Sequence, residues 1–444
     1  MTAGLRRDLG TLESYATLLG ILIGAGIFKV TGDAWRMTGP SLILGYIVLA
    51  PAVLATSVAY SVFLSTPLGR EPGGEYTNIS RTFGGNLVAF VGAWLKMISY
   101  TGALAYLAGA FASYAQTLVP VNETVLAVGA LLFFYAIHVA GVRWFGRLQV
   151  WMCMILGLSL IVLIVPGLFA IHPSYYRPFF THGVRGFAAS LPALFFAYAG
   201  FESLAQTAGE VSDSTRRLPR VFLRGIVLTS IIYFFMSLVG LGTLAPERLR
   251  VSAAPMAEAA AGYLPIGAAA LVTIGAIMAL LTSVNATMLV PSRVAIVLAD
   301  DRLAPRWIGA VSARTGTPIT GLTLTLAGAI ALLVTNEIGL ALSVAIYALV
   351  MLYLLHSFAL LLLPRWNPAL FREVTVSIPL WLQRVAGVVS ILFMATMLSQ
   401  ISLFAVELLL FWAAIGLLFY AWSRRVANRR TAGGVEHAEE SKLA

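Results

Sequence analysis

The sequence predicts an all-α integral membrane protein of twelve transmembrane helices, and three observations carry that reading. Of its 444 residues, 59% are hydrophobic and 11% charged, with a mean hydropathy of +0.88. Soluble domains do not have this composition. Twelve apolar segments reach or approach the roughly 20 residues a helix needs to cross a bilayer. The basic residues also alternate in density from loop to loop, which sets an orientation.

In chain order the spans are expected at 12–37, 41–66, 86–118, 124–142, 148–171, 187–209, 221–245, 264–299, 317–335, 338–363, 384–402 and 404–423. With the N-terminus inside, 21 arginines and lysines fall in inside loops and tails and 5 in outside loops. That bias predicts a multi-pass protein of the cell membrane with both termini cytoplasmic. The net charge of +10 is spread over these short loops, so it points to no nucleic acid; the expected surroundings are the lipid bilayer. Cys153 is the single cysteine, which rules out a disulfide framework within the chain. The connections 172–185 and 245–262 are expected to hold short amphipathic helices outside. The chain divides into an N-terminus (1–11), a first five-helix repeat (12–185), a second, inverted repeat (186–363), helices 11 and 12 (364–423) and a disordered cytoplasmic tail (424–444).

Two spans carry small residues at mid-depth. Residues 20–32 read G-I-L-I-G-A-G-I-F-K-V-T-G, with Gly24, Ala25 and Gly26 at the centre. Glycine weakens a helix, and within a membrane an unwound turn is tolerated only where it lines a cavity or is buried in protein. Taken alone, the run fits close helix packing equally well. Span 6 repeats it: L-P-A-L-F-F-A-Y-A-G-F-E-S-L places Ala199, Gly200, Glu202 and Ser203 at mid-membrane. Gly24 and Gly200 are 176 residues apart, close to the 178 between Asn86 and Leu264 at the starts of spans 3 and 8. A shift of five helices therefore brings span 1 onto span 6. Five is odd, so the second copy enters the membrane from the opposite side. The result is a five-plus-five inverted repeat with helices 1 and 6 broken, plus two extra C-terminal helices.

An unwound turn leaves N–H groups at the start of one half-helix, where the helix dipole favours an anion. It also leaves carbonyls at the end of the other half, suited to an ammonium group or a cation. A site with both polarities fits an α-amino acid or a related amine better than a sugar.

At these residues the chain resembles the amino acid–polyamine–organocation transporter family, whose members have the LeuT-type fold. The resemblance covers nearly the whole chain. It rests on G-I-L-I-G-A-G-I-F in span 1, P-G-G-E-Y and F-G after span 2, and H-V-A-G-V-R with Gln149 around spans 4 and 5. It continues in F-F-A-Y-A-G-F-E and A-G-E-V-S-D-S-T-R-R-L-P-R at span 6, and in N-A-T-M-L-V-P-S-R-V-A-I-V-L-A-D-D-R-L-A-P at span 8. The resemblance implies that the backbone of Gly24, Ala25 and Gly26, flanked by Ile23 and Ile27, holds the substrate carboxylate. It implies that the carbonyls of Phe196, Tyr198, Ala199 and their neighbours up to Gly200 receive the amine. Phe196 would close over the substrate as a gate from outside, though it also reads as an ordinary core phenylalanine. Glu202 matches a position that is polar or acidic in several relatives. A mid-membrane carboxylate is a functional candidate by default, with a satisfied packing residue as the alternative. Tyr100, Asn285 and Tyr347 are further candidates to face the pocket. Phe195, Phe196 and Phe201 with the small Ala25 suggest an apolar pocket and a neutral or aromatic side chain, while Glu202 leaves a cationic substrate open.

The coupling ion is open at this level. Some proton-coupled relatives carry a lysine in span 5 where this chain has Leu156, which holds neither proton nor charge. In span 8, Thr282 and Ser283 sit where sodium-coupled members of the fold place two ligands, and hydroxyl and carbonyl oxygens suit a hard cation. The same hydroxyls can simply cap backbone carbonyls. Gly24, at the break, and Glu202 are further candidates for the coupling ion. Lys29 and Lys96 are too, since buried ammonium groups titrate readily; Lys96 needs a partner such as Glu202 or a place in the cavity wall.

The leading expectation is a secondary amino acid transporter working by alternating access, driven by sodium or protons, with no cofactor beyond that ion. An exchanger of the same fold, or a non-transporting sensor or channel, is the alternative. The five histidines are scattered without metal-ligand spacing or a nucleophile–base pair, which argues against an enzyme.

Overall fold

The structure, a computed structural model, describes residues 5–443 apart from 25, 117, 253, 336, 337 and 401. The side chains of 29, 30, 33, 338–343 and 427–443 also lie outside the described set. Among the described residues the fold is helical, with one isolated parallel bridge, Leu9 to Val211, and no sheet. Eleven helices are long and apolar enough to cross a membrane; a twelfth apolar helix, Ile319–Val334, is shorter. Its 16 residues reach about 24 Å, and we count it as span 9.

Span 1 comprises Thr11–Leu22, a π-turn over Gly26–Val30 and Thr31–Thr38. Span 2 is Leu42–Leu64, span 3 Asn86–Ala115, span 4 Glu123–Ala140 and span 5 Val142–Gly167. Span 6 consists of Gly183–Tyr198 followed by Ser203–Gln206 and a 3-10 turn, Ala208–Glu210. Spans 7, 8, 10 and 11 are Ser214–Thr243, Ile266–Asp300, Ile338–Trp366 and Leu380–Leu398. The last helix spans Leu403–Leu443, with the side chains beyond Val426 outside the described set.

Spans 5 and 7 begin six and seven residues earlier than the apolar runs suggest. Gly141 adopts φ +119°, which turns the chain at once from span 4 into span 5 at Val142 rather than 148. Span 7 starts at Ser214 rather than 221 because S-T-R-R-L-P-R, too charged to count as a span, still continues the helix beyond the apolar zone. The 245–262 connection forms two helices, Pro246–Val251 and Pro255–Tyr263. Its counterpart at 172–185 holds a 3-10 turn, Pro173–Tyr176, and the first residues of span 6.

Span 3 is the central strut and packs on spans 8 and 10, while span 2 packs on span 7 and span 5 on span 8. The first half of span 1 lies against spans 5, 7 and 8, and span 6 lies against span 2 and the outer part of span 1. The two broken spans are therefore neighbours, wrapped by intact ones. Span 12 stands at the periphery with Phe404, Leu410, Phe411 and Leu418 exposed, as expected of a helix facing lipid. It is pinned to span 3 by stacked Trp94 and Trp412, ring centroids 4.8 Å apart. Each indole N–H donates to the other's backbone carbonyl at 2.9 Å.

Candidate functional site

Both breaks form where the small residues stand. The first helix stops at Leu22; Ile23 leaves the helical region with φ −82° and ψ +63°. In span 6, Tyr198 is the last helical residue, Ala199 is extended, and Gly200 takes φ +101°, a conformation that favours glycine. A Cβ at Gly26 would collide with Cα and Cβ of Ala197, and one at Gly24 with the Ser283 hydroxyl. At Gly200 a Cβ would come within 3.0 Å of the Ile21 side chain. The glycines thus let the two unwound turns touch each other and span 8.

A small internal cavity lies at this meeting point, with about 30 Å³ open to the centre of a water-sized sphere. Ile21, Leu22 and Gly26 line it from span 1, and Phe196, Ala197, Ala199 and Gly200 from span 6. Tyr100, Ala103 and Leu107 close it from span 3, Thr287 from span 8 and Leu349 from span 10. The walls are apolar apart from the Tyr100 and Thr287 hydroxyls and the exposed backbone of the breaks. Phe196 stands at this cavity and meets Tyr106 of span 3 edge-on, centroids 5.6 Å apart.

Several break carbonyls already serve the protein. The Tyr233 hydroxyl of span 7 donates to the carbonyls of Leu22 and, at 2.6 Å, of Ala197. The Phe196 carbonyl accepts from Ala199 N–H and that of Gly200 from Ser203 N–H. Among the described residues the carbonyls of Tyr198 and Ala199 accept no such bond, and of these two residues Ala199 lines the cavity.

Other candidates fall away from the cavity. Phe195 packs on Tyr353 and Phe393, and Phe201 stacks on Tyr353 with centroids 5.2 Å apart. Tyr198 donates to the Tyr46 carbonyl. Ile23 and Ile27 are buried but do not line the cavity. Asn285 faces span 5, donating to Gln149 Oε1 at 2.7 Å. Tyr347, expected at the pocket, instead donates to the Gln400 carbonyl near the periphery; its helix register turns it outward. Ala25 and the Lys29 side chain lie outside the described residues.

Glu202 is fully buried beside the break. Its carboxylate accepts from Tyr100 at 2.6 Å, from the Tyr353 hydroxyl and from Gly200 N–H at 3.1 Å. It thereby ties the unwound turn of span 6 to spans 3 and 10. Lys96 does not pair with Glu202 as expected. Its ammonium lies 2.7 Å from Glu75 Oε2, with both side chains buried. Glu75 begins the short helix Glu75–Phe83 in the connection after span 2; it was read as part of a polar loop and missed. The signal was present: a lysine at mid-membrane requires a buried counter-charge. A second buried pair, Arg293 with Glu210, is bidentate, at 3.2 Å and 2.8 Å, and was also missed. It closes the arginine-rich end, where Leu9 N–H donates to the Glu210 carbonyl at 3.0 Å. Thr287, one turn beyond Ser283, was overlooked because its neighbours read as ordinary core.

Thr282 and Ser283 turn toward the start of the first break. The Thr282 hydroxyl donates to the carbonyls of Gly20 at 2.8 Å and Ala279 at 2.7 Å. Ser283 donates to those of Gly20, Ile21 and Ala279 at 3.0, 3.3 and 3.1 Å. Five neutral oxygens of spans 1 and 8 therefore converge, a donor set that fits a sodium ion. The same contacts also satisfy the hydroxyls without one. Leu156 is buried and carries no charge. The described residues hold no cluster of His, Cys, Asp or Glu suited to a metal.

A multi-span helical bundle with two discontinuous helices meeting at one internal cavity defines a membrane transporter. Residues 15–421 match the family described as "Amino acid permease", and the chain belongs to that family; its members are transporters rather than enzymes. The chain is 30% identical to an uncharacterized transporter of Mycobacterium tuberculosis over 71% of its own length and 70% of the relative's. It is 27% identical to the methylthioribose transporter of Bacillus subtilis, covering 71% and 72% of the two chains. To the branched-chain amino acid permease of the same organism it is 23% identical, covering 71% of each.

Proposed function

We propose that the chain carries a neutral amino acid, or a closely related amine, across the cell membrane by alternating access, driven by a sodium or proton gradient. The observation that carries this reading is the meeting of both breaks at one cavity, with Gly26 packed against Ala197 and Gly200 against Ile21. Backbone N–H groups of the outer half of span 1 would hold the carboxylate. The carbonyl of Ala199, which lines the cavity, would receive the amine, and Phe196 would close over the substrate. The apolar walls from Ala103, Leu107 and Leu349 favour an uncharged side chain, and the relative named for branched-chain amino acids supports the same class. Spans 1 and 6 would rock against the frame of spans 3, 8 and 10. The arginine bias assigns the end closed by Arg293 and Glu210 to the cytoplasm. Where sodium drives transport, the oxygens of Thr282, Ser283, Gly20, Ile21 and Ala279 would hold it.

The test is uptake into proteoliposomes of labelled neutral amino acids, with methylthioribose in the panel. An inward sodium gradient, an inward proton gradient and preloaded substrate without either gradient are compared. Accumulation or exchange of a neutral amino acid supports the reading. Binding without flux in every condition overturns it in favour of a sensor.

A further inference from the structure

The Lys96–Glu75 pair is one of two fully buried ion pairs among the described residues, and transport as described so far makes no use of it. Lys96 is 2% exposed and Glu75 0%. Glu75 Oε2 accepts from Lys96 Nζ at 2.7 Å and from Gln206 Nε2 at 2.8 Å, and Oε1 accepts from the Tyr60 hydroxyl. These donors come from three places: Lys96 from span 3, Tyr60 from span 2, and Gln206 from the second half of span 6. The carboxylate therefore fastens the part of span 6 beyond the break to the static frame. The local backbone is shaped for this contact. Gly73 and Gly74 take φ +100° and +48°, and a Cβ at Gly74 would collide with the Gln206 amide.

The titratable groups around Glu75 are few. Span 3 contributes Lys96 and span 2 Tyr60. Span 10 contributes His356, whose ring lies 4.2 Å from that of Tyr60 and whose Nε2 meets Asn78. Glu202 and its partners Tyr100 and Tyr353 connect the cluster to the cavity: the Lys96 ammonium sits 5.3 Å from the Tyr100 ring centroid, and Tyr60 meets Tyr353 edge-on at 6.3 Å. Among the described residues, Gln206 Oε1 and His356 Nδ1 have no hydrogen-bond partner.

We propose that Glu75 is a proton-binding site of the transport cycle and that its protonation releases the second half of span 6. The proposal rests on the transporter reading above. The step adds one proton to the Glu75 carboxylate; no other bond forms or breaks covalently, and the proton leaves to the cytoplasm. With Glu75 ionised, Lys96 has its counter-charge and the closed cytoplasmic end is favoured. Once Glu75 is neutral, Lys96 is an unpaired buried cation, an arrangement that strongly disfavours the closed state. Opening the cytoplasmic end relieves this by admitting water to the ammonium. Proton loss to the cytoplasm then restores the pair and resets the outward-facing form. Proton and substrate thereby move inward together, in a chain that has leucine at position 156.

The experiment compares wild type, Glu75→Gln and the charge-free double variant Glu75→Gln/Lys96→Met in proteoliposomes, using a labelled branched-chain amino acid mixture. Exchange against preloaded substrate shows whether each protein transports at all. Accumulation under an imposed inward proton gradient reads coupling. For one proton per substrate, wild type accumulates up to about 10-fold per pH unit. Glu75→Gln, which leaves Lys96 without its counter-charge, should lose accumulation and slow exchange, whereas the charge-free double variant should fall to a ratio of about 1 with exchange still measurable. Gradient-driven accumulation by Glu75→Gln equal to wild type overturns the proposal, as does wild-type accumulation that responds to sodium but not to protons. Loss of exchange in both folded variants overturns it too, by making the pair purely structural. Absence of exchange in wild type would instead count against the transporter reading.

Discussion

Replacing Gly24 and Gly26 by alanine tests the contact between the breaks, because the two glycines are crowded by different things. The Cβ of Gly24→Ala would collide with the Ser283 hydroxyl, with Ser283 Cβ at 3.0 Å and the Ala279 carbonyl at 3.3 Å. The first two obstacles belong to one side chain. The Cβ of Gly26→Ala would collide with Cα and Cβ of Ala197, with the Ala197 carbonyl carbon at 3.2 Å, so backbone stands in the way. Overpacking of this kind costs about 1–3 kcal/mol. Where that falls on the transport-competent packing, exchange drops roughly 5- to 150-fold. Ser283→Gly should return much of the activity lost in Gly24→Ala, leaving only the 3.3 Å approach to the Ala279 carbonyl. Ala197→Gly should return little of that lost in Gly26→Ala. The assay is substrate exchange at equal sodium and pH on both sides, with Ser283→Gly and Ala197→Gly alone as references and thermal melting in detergent as a check of folding. Full exchange in Gly26→Ala, or rescue of it by Ala197→Gly as good as the rescue of Gly24→Ala, would refute the reasoning.

Three further outcomes are expected. Glu202→Gln replaces charge-assisted bonds from Tyr100, Tyr353 and Gly200 by neutral ones, at a cost of about 1–2 kcal/mol. It should weaken substrate affinity measured by exchange titration more than it lowers the melting temperature. Phe196→Ala removes the edge-on contact with Tyr106, worth about 0.5–1.5 kcal/mol beyond area burial. It should raise the KM for uptake while the protein stays folded; an unchanged KM would argue that Phe196 is only core. Trp412→Phe removes one of the two reciprocal indole–carbonyl bonds, the one the Trp412 indole donates to Trp94, and keeps the one the Trp94 indole donates to the residue 412 carbonyl. A loss of about 1 kcal/mol in stability with exchange unaltered is expected, and a transport defect would show that span 12 does more than anchor.

The broken helices were legible because lipid enforces them. A glycine cluster in a membrane helix conflicts with both propensity and hydrogen-bond satisfaction, and only a close approach or a cavity resolves that conflict. Ridges of apolar side chains carried no comparable information. In F-F-A-Y-A-G-F, one phenylalanine faces the cavity and the others pack on Tyr353, Tyr60 and Phe222, and nothing in the letters separates them once the helix unwinds. Asn285 and Tyr347 were lost for the same reason: with apolar residues on every face of a buried helix, no moment points to the side that holds the ligand.

The charges divide along a different line. Lys96 was recognised as needing a partner, and Glu202 was the nearest carboxylate in the membrane-depth reading, yet Glu75 takes it. Glu75 lies in a segment that composition assigns to a loop, P-L-G-R-E-P-G-G-E-Y. That segment reaches the buried pair because Gly73 and Gly74 turn it back under span 6. A polar connection between spans 2 and 3 thus supplies a fully buried charge. Hydropathy ranks a residue by its neighbours in sequence, whereas the cost of a buried ammonium is set by its neighbours in space. Glu202, in turn, is satisfied by two tyrosines and a backbone N–H rather than by a cation. The two carboxylates thus take different places: one shapes the break at the cavity, and the other binds the second half of span 6 to a lysine that would be left uncompensated if the carboxylate took up a proton.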